Sequence, residues 1–386
     1  MLAIAGTSLV SCNSDNPEAT QTTTTVNGSS ELAGTITDTK TLNASTTYTL
    51  TGTLVVENGG VLNIPAGTVI KAKKGFSVYI LVAQGGKINV NGTASSPVVM
   101  KADIDTNESA YWGGLIINGK AKISGANGIV ATSSTEIDTR FPYGGSDDND
   151  NSGTIRYLIL NNTGARNTGT MEHNGLTLDA VGKGTIIENV YVKNCADDGI
   201  EFFGGCVNVT NFFCVNTDDD MFDNTQGYRG TLTNIYGIWE STYSSTEADP
   251  RGVESDGNLD GISPNDINQT DFTINGMTID LRLAPSTALA TSMLDVVKIR
   301  RGSKATITNA LVKGTGQAKN FVNFADGAGV GNAASTINIY NGLTAAFYGS
   351  KFPTASGIDY SVIVTEPTTA NAGADKTAFA WTGYAF

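Results

Sequence analysis

Four stretches of this chain can be laid over one another: residues 153–162, 184–195, 205–216 and 230–239. Each opens on glycine and passes through a short run rich in Ile, Val, Leu, Tyr or Phe. Asn189, Asn211 and Asn234 fall at the same place in three of them, at steps of 22 (211 − 189) and 23 (234 − 211). The theme returns at residues 306–312 and 336–341. Earlier runs at 53–56, 60–64, 67–70, 80–83 and 86–90 have the same character, three to five β-prone residues between Gly- or Asn-containing turns. A period in the low twenties is one turn of a three-sheeted coil, with strands stacked about 4.8 Å apart. No coil of that size buries its apolar side chains alone, so the coils must stack into one column. The fold class that follows is all-β: a right-handed parallel β-helix, a single-stranded solenoid, over residues 35–386. The recurrent asparagines are expected to form an amide ladder that holds the turns, a structural role rather than a catalytic one.

Charge narrows the partners. The 386 residues carry a net charge of −13 and only 16 % charged side chains, less than the usual share of about a quarter. Polar character comes from Thr, Asn, Ser and Asp, which suit turns and sheet surfaces. An acidic surface repels phosphate backbones, so no nucleic-acid partner is expected, whereas clustered carboxylates favour calcium. His173 is the one histidine, which excludes any mechanism needing a histidine pair.

The first residues read as an address. Residues 1–10 are short and apolar and end in Leu9-Val10-Ser11-Cys12, the layout of a signal peptide with its cleavage region rather than a membrane span. That ending resembles the bacterial lipobox, which implies lipidation of Cys12 and attachment to the membrane through that lipid alone. With the usual Lys/Arg segment missing, the true start is expected upstream of Met1. Residues 13–34, Thr-rich and without periodicity, are expected to be a flexible tether.

Residues 52–71, Trp112-Gly113-Gly114, Tyr143-Gly144-Gly145, residues 196–205 and residues 252–256 together resemble a family of Bacteroidetes surface lipoproteins with pectate-lyase-like β-helices. The resemblance spans about residues 45–315. It implies fold and a place on the bacterial cell surface, as an outer-membrane lipoprotein, and says little about activity.

The sharpest chemical signal is carboxylate. One coil carries Asp197, Asp198 and Glu201, and the next carries Asp218, Asp219, Asp220 and Asp223. With a 22-residue offset, Asp197 falls over Asp219, Asp198 over Asp220 and Glu201 over Asp223. Carboxylates about 5 Å apart repel by roughly 1 kcal/mol in water and about 3 kcal/mol at an effective dielectric of 20. In a groove such pairs require a cation or raised pKa values. The cluster is therefore a calcium site, a proton-sharing catalytic pair built from Asp198, Asp219, Asp220 and Asp223, or a solvated acidic ridge. Two loops, Asp148-Asn149-Asp150 and Asp256-Gly257-Asn258-Leu259-Asp260, alternate short oxygen ligands ahead of a glycine and are further calcium candidates, though neither is an EF-hand.

An enzyme built on this chain would be a polysaccharide lyase or a glycoside hydrolase acting on an acidic polysaccharide. Asn216-Thr217-Asp218 with Asp219-Asp220 resembles elements of the polygalacturonases, and paired carboxylates can cleave a glycosidic bond. The Gly-His-Gly and Arg-Ile-Lys elements of that group are absent, which disfavours a hydrolase. A lyase needs a base, for which Arg229, Arg251, Arg300 and Arg301 are candidates. A binding protein would instead stack exposed rings on sugar faces, and Tyr228, Trp239 and Tyr243 are expected to be the exposed ones, with most Phe residues inside the column. Cys195, Cys206 and Cys214 form either one bridge and a free thiol or three buried thiols. The expectation is a monomeric surface protein that binds a glycan or another surface ligand, with calcium stabilising its acidic loops. The alternatives are the lyase or hydrolase just described and a structural or adhesive surface protein.

Overall fold

The computed structural model of the chain describes residues 24–25, 30–167 and 171–386. Cys12 and the leader lie outside the described residues, and so does most of the tether. The coil begins earlier than expected: Glu31–Ile36 is already a strand, paired in parallel with Thr47–Val56. Its two buried side chains, Leu32 and Ile36, are separated by three exposed residues, too sparse a pattern to stand out in a Thr-rich stretch.

From there the chain winds as a right-handed parallel β-helix. Each coil lays one short strand on each of three parallel sheets. One sheet runs through Leu115–Asn118, Leu176–Asp179, Ile200–Phe203, Phe222–Thr225, Arg251–Asp256, Met293–Arg300 and Ala318–Asn323. The other two are formed by the two halves of longer strands such as Ile186–Cys195, Val209–Thr217 and Thr231–Trp239.

Those longer strands bend in the middle, and the bend explains the asparagine period. Asn189, Asn211 and Asn234 have φ of +60°, +57° and +58°. Side chains with a Cβ pay to enter this left-handed region, and asparagine pays least because its amide can bond locally. The amides also bond along the column, Asn211 Nδ2 donating to Asn189 Oδ1 at 2.9 Å and Asn234 Nδ2 to Asn211 Oδ1 at 2.7 Å. The expected ladder is present. Tyr157, Gly276 and Asn309 take the same bend in other coils, so the conformation recurs more widely than the residue type.

Inside, register partners become buried stacks. Ile187, Val209, Leu232, Ile274, Ile307 and Ile337 follow one another on successive coils, and all are buried. Each such side chain contributes roughly 1.5–3 kcal/mol by leaving water. Cys195, Cys206 and Cys214 are free thiols, two of them buried. A second apolar cluster lies apart from this column: Phe379 is buried against Tyr191, Phe213 and Tyr236, with Trp381, Tyr384 and Phe386 beside it. The last segment of the chain thus covers part of one sheet, pinned where Asp375 donates its N–H to Asn234 Oδ1 at 2.6 Å.

Insertions interrupt the period where it matters. Between Asn118 and Gly153 the chain leaves the coil and forms an antiparallel hairpin from Thr132–Ser134 and Pro142–Gly144. Further loops stretch the step from Thr231 to its partner Thr273 to 42 residues (273 − 231). The hairpin and the loop at Leu259 wall the outer face of the first sheet into a cleft.

Candidate functional site

Successive strands of that sheet place Thr177, Glu201, Asp223, Glu254, Lys298 and Asn323 in one register column. Three neighbouring carboxylates therefore stack at the spacing of the coils. Beside them, at the turn that leads into each strand, Asp197 and Asp198 stand over Asp219 and Asp220. Asp220 donates its main-chain N–H to Asp198 Oδ1 at 2.8 Å, which fixes the stacking. The cleft measures about 410 Å³, and Glu136, Glu172 and Asp256 add their carboxylates to its lining.

Arginines flank this charge at both ends. Arg251 lies 3.1 Å from Glu254 and 3.8 Å from Asp220, and Arg300 reaches Glu254 at 2.9 Å and Asp256 at 2.6 Å. At the other end Arg166 is engaged by Glu172 at 3.1 Å and Glu247 at 2.5 Å. Glu201 accepts from Asn174 Nδ2 at 2.6 Å. Asp220 is 1 % exposed, yet its Oδ1 has no hydrogen-bond donor.

Burial, and after it the neighbouring carboxylates, pushes Asp197, Asp198, Glu201, Asp220 and Asp223 well above the usual carboxylate range. Burial raises Asp219 to about 8 against the opposing pull of Arg251. Such a group must hold protons or a metal cation at neutral pH. Three overlapping triads suit a metal: Asp197 with Asp198 and Asp219, Asp198 with Glu201 and Asp223, and Asp220 with Asp223 and Glu254. Within each triad one oxygen per residue lies within 4.8 Å of the others. That is about twice a calcium–oxygen bond of roughly 2.4 Å, the separation at which two oxygens can still share one ion.

The structure brings together Asp197, Asp198, Asp219, Asp220 and Asp223, as the 22-residue offset predicts. It does not gather the two loops in the same way. Asp148 accepts from Lys122 and Arg229, and Asp150 bonds Ser152. Asp256 is held by Arg300 and Arg301, and the Asn258 amide serves Gln269, Ser263 and the Arg301 carbonyl. The Asp260 side chain lies outside what is described. The described side-chain oxygens of these two loops thus already have protein partners.

The aromatic expectation is corrected. Tyr228 and Trp239 are both 0 % exposed: Tyr228 stacks on Phe202 with ring centroids 4.0 Å apart, and Trp239 Nε1 donates to the Thr217 carbonyl. Tyr243 is partly buried and its hydroxyl bonds Thr217 and Asp218. A ring with its polar atom satisfied by the main chain is a core residue, and the sequence pattern does not reveal that partner. Asp218 likewise faces Thr246 and Tyr243 and does not line the cleft. His173 is buried against Phe76 and Tyr79, and burial lowers it to about 4, so it is neutral.

Glu254 escaped the sequence reading because a loop puts 31 residues (254 − 223) between it and its partner Asp223. The alternation in residues 252–256 was the available signal. Glu136 and Glu172 come from segments outside the repeat, where no period points to them.

Residues 34–384 match the family described as pectate-lyase like beta helix domain. Neither the curated proteins nor the solved structures contain a match to this chain.

Proposed function

We infer that this chain, which belongs to the pectate-lyase-like β-helix family, is a bacterial cell-surface glycan-binding protein whose acidic cleft holds calcium. The observation that carries this reading is Asp220 Oδ1, buried without a donor among carboxylates on both neighbouring coils. A hard divalent cation satisfies such an oxygen and neutralises the stack around it. Asp197, Asp198, Glu201, Asp219, Asp220, Asp223 and Glu254 would supply its ligands. A calcium ion takes six to eight oxygens, and some of them can come from outside the protein. Hydroxyl or carboxylate oxygens of a sugar can complete the shell, and the cleft volume falls in the range of small-ligand sites. Lipid on Cys12 would hold the solenoid at the outer membrane of a Bacteroidetes-type cell, within reach of surface polysaccharide.

Catalysis by the same cleft is the second reading, favoured by carboxylic acids held protonated beside carboxylates. Proton abstraction by arginine is less well supported, since Arg229, Arg251, Arg300 and Arg301 are all ion-paired. Affinity electrophoresis of the protein through gels carrying a polyuronate, with calcium or with EDTA, tests the binding reading. Retardation only with calcium supports it, and equal mobility in all gels overturns it. New reducing or unsaturated ends in the polymer would make the protein an enzyme instead.

A further inference from the structure

Beyond the acidic stack the same column continues into Lys298 and Asn323. These two are register partners on adjacent parallel strands, Met293–Arg300 and Ala318–Asn323. Register partners in a parallel sheet share a face, and their strands lie about 4.8 Å apart. Both are withdrawn from solvent, at 7 % and 8 % exposure. Their ends converge on one piece of main chain: the Lys298 amine donates to the Ala325 carbonyl, and Asn323 Oδ1 accepts from the Ala325 N–H at 2.9 Å. Asp295, 1 % exposed, accepts from the Asn323 side-chain amide at 3.0 Å through Oδ1, while its Oδ2 has no hydrogen-bond donor.

An amine, a carboxamide and a buried carboxyl on that carboxamide are the parts needed for an amide exchange between side chains. We propose that Lys298 and Asn323 join in an intramolecular amide bond, formed by the folded chain itself. The uncharged Lys298 Nζ attacks Asn323 Cγ, and the Nζ–Cγ bond forms as the Cγ–Nδ2 bond breaks. Asp295 takes the proton released by Nζ and passes it to Nδ2, which leaves as ammonia. The step consumes no oxidant and no co-reactant: one amine and one primary amide become one secondary amide and ammonia.

The surroundings favour the reactive form of the amine. Burial lowers Lys298 below its ordinary value, and Arg251 and Arg300 act in the same direction, while Asp295 and Asp326 oppose them. Asn320 also donates to Asp295 Oδ1, at 2.7 Å, and so holds the carboxyl in place. It pairs in register with Asp295 rather than with Lys298, which makes Asn323 the acceptor. The bond would tie two successive coils beside the cleft, constraining the unfolded chain as any cross-link does.

Tryptic mapping of the full, folded chain by mass spectrometry tests this. Trypsin does not cut at an acylated lysine, so residues 283–300 should appear joined to residues 320–351, lighter than their sum by one ammonia. Asp295→Ala and Lys298→Arg should each restore cleavage after residue 298 and release residues 283–298 and residues 320–351 as separate peptides at their full masses. Separate, unmodified peptides from the unaltered protein would overturn the proposal, whatever the variants do. So would an ammonia loss confined to the 320–351 peptide, or one that persists in Lys298→Arg, since either marks cyclisation of the asparagine alone.

Discussion

Asp198 of one coil accepts the main-chain N–H of Asp220 on the next at 2.8 Å, so the position of one carboxylate is fixed by the backbone beneath the other. An amide in place of Asp198 would keep that acceptor and remove one charge. In EDTA at pH 8, Asp198→Asn should therefore melt higher than the unaltered protein. In calcium the order should reverse, with affinity for the ion lower by at least about tenfold, the scale of changes around a metal's ligands. Thermal melts paired with calorimetric titration check both halves.

Stability without a cation should fall as pH rises. The cleft carboxyls have folded-state values above their unfolded value of about 4, so protons favour the folded chain. Their contribution is complete below that unfolded value and is lost as pH climbs through about 8, where Asp219 ionises. Melting temperatures in EDTA should drop between pH 5 and pH 9. Saturating calcium should flatten or invert the slope, because the ion replaces the protons.

The asparagine ladder separates backbone from side-chain contributions. Asn211→Ala removes two inter-coil amide bonds and forces alanine into the left-handed region at φ +57°. Each bond contributes about 1 kcal/mol and the backbone about 1–2 kcal/mol, for a loss near 3–4 kcal/mol. Asn211→Gly should lose only the bonds. Urea unfolding of the two variants distinguishes the contributions.

Trp239 is a test of the corrected aromatic assignment. Trp239→Ala should cost about 3–5 kcal/mol, as for other large core truncations. The fraction that remains folded should bind polyuronate as the unaltered protein does. Weakened binding by a fully folded Trp239→Phe protein would return this ring to the ligand site.

The parts of this molecule readable in sequence are those the period governs. Asn189, Asn211 and Asn234 announce the coil because the left-handed bend selects their residue type, and Asp197, Asp198, Asp219 and Asp220 meet because two uninterrupted coils carry them. Where insertions break the period, distance along the chain stops predicting distance in space: Glu254, Glu136 and Glu172 join the cleft unannounced. Rings fail for a different reason. Tyr228 and Trp239 carry a polar atom that suits either water or a buried carbonyl, and only the Val207 and Thr217 carbonyls decide between them.

The most direct test of the cation-holding cleft is to titrate calcium into the full chain at pH 7 in two buffers of different ionisation heat. Stacked carboxyls that hold protons in the absence of metal must give them up when the ion enters. Saturable binding with release of at least one proton per ion is predicted, with the release lost in Asp220→Asn. Absence of binding heat in both buffers, or binding without proton release, would contradict the account and leave the stack as a protonated seam of the solenoid.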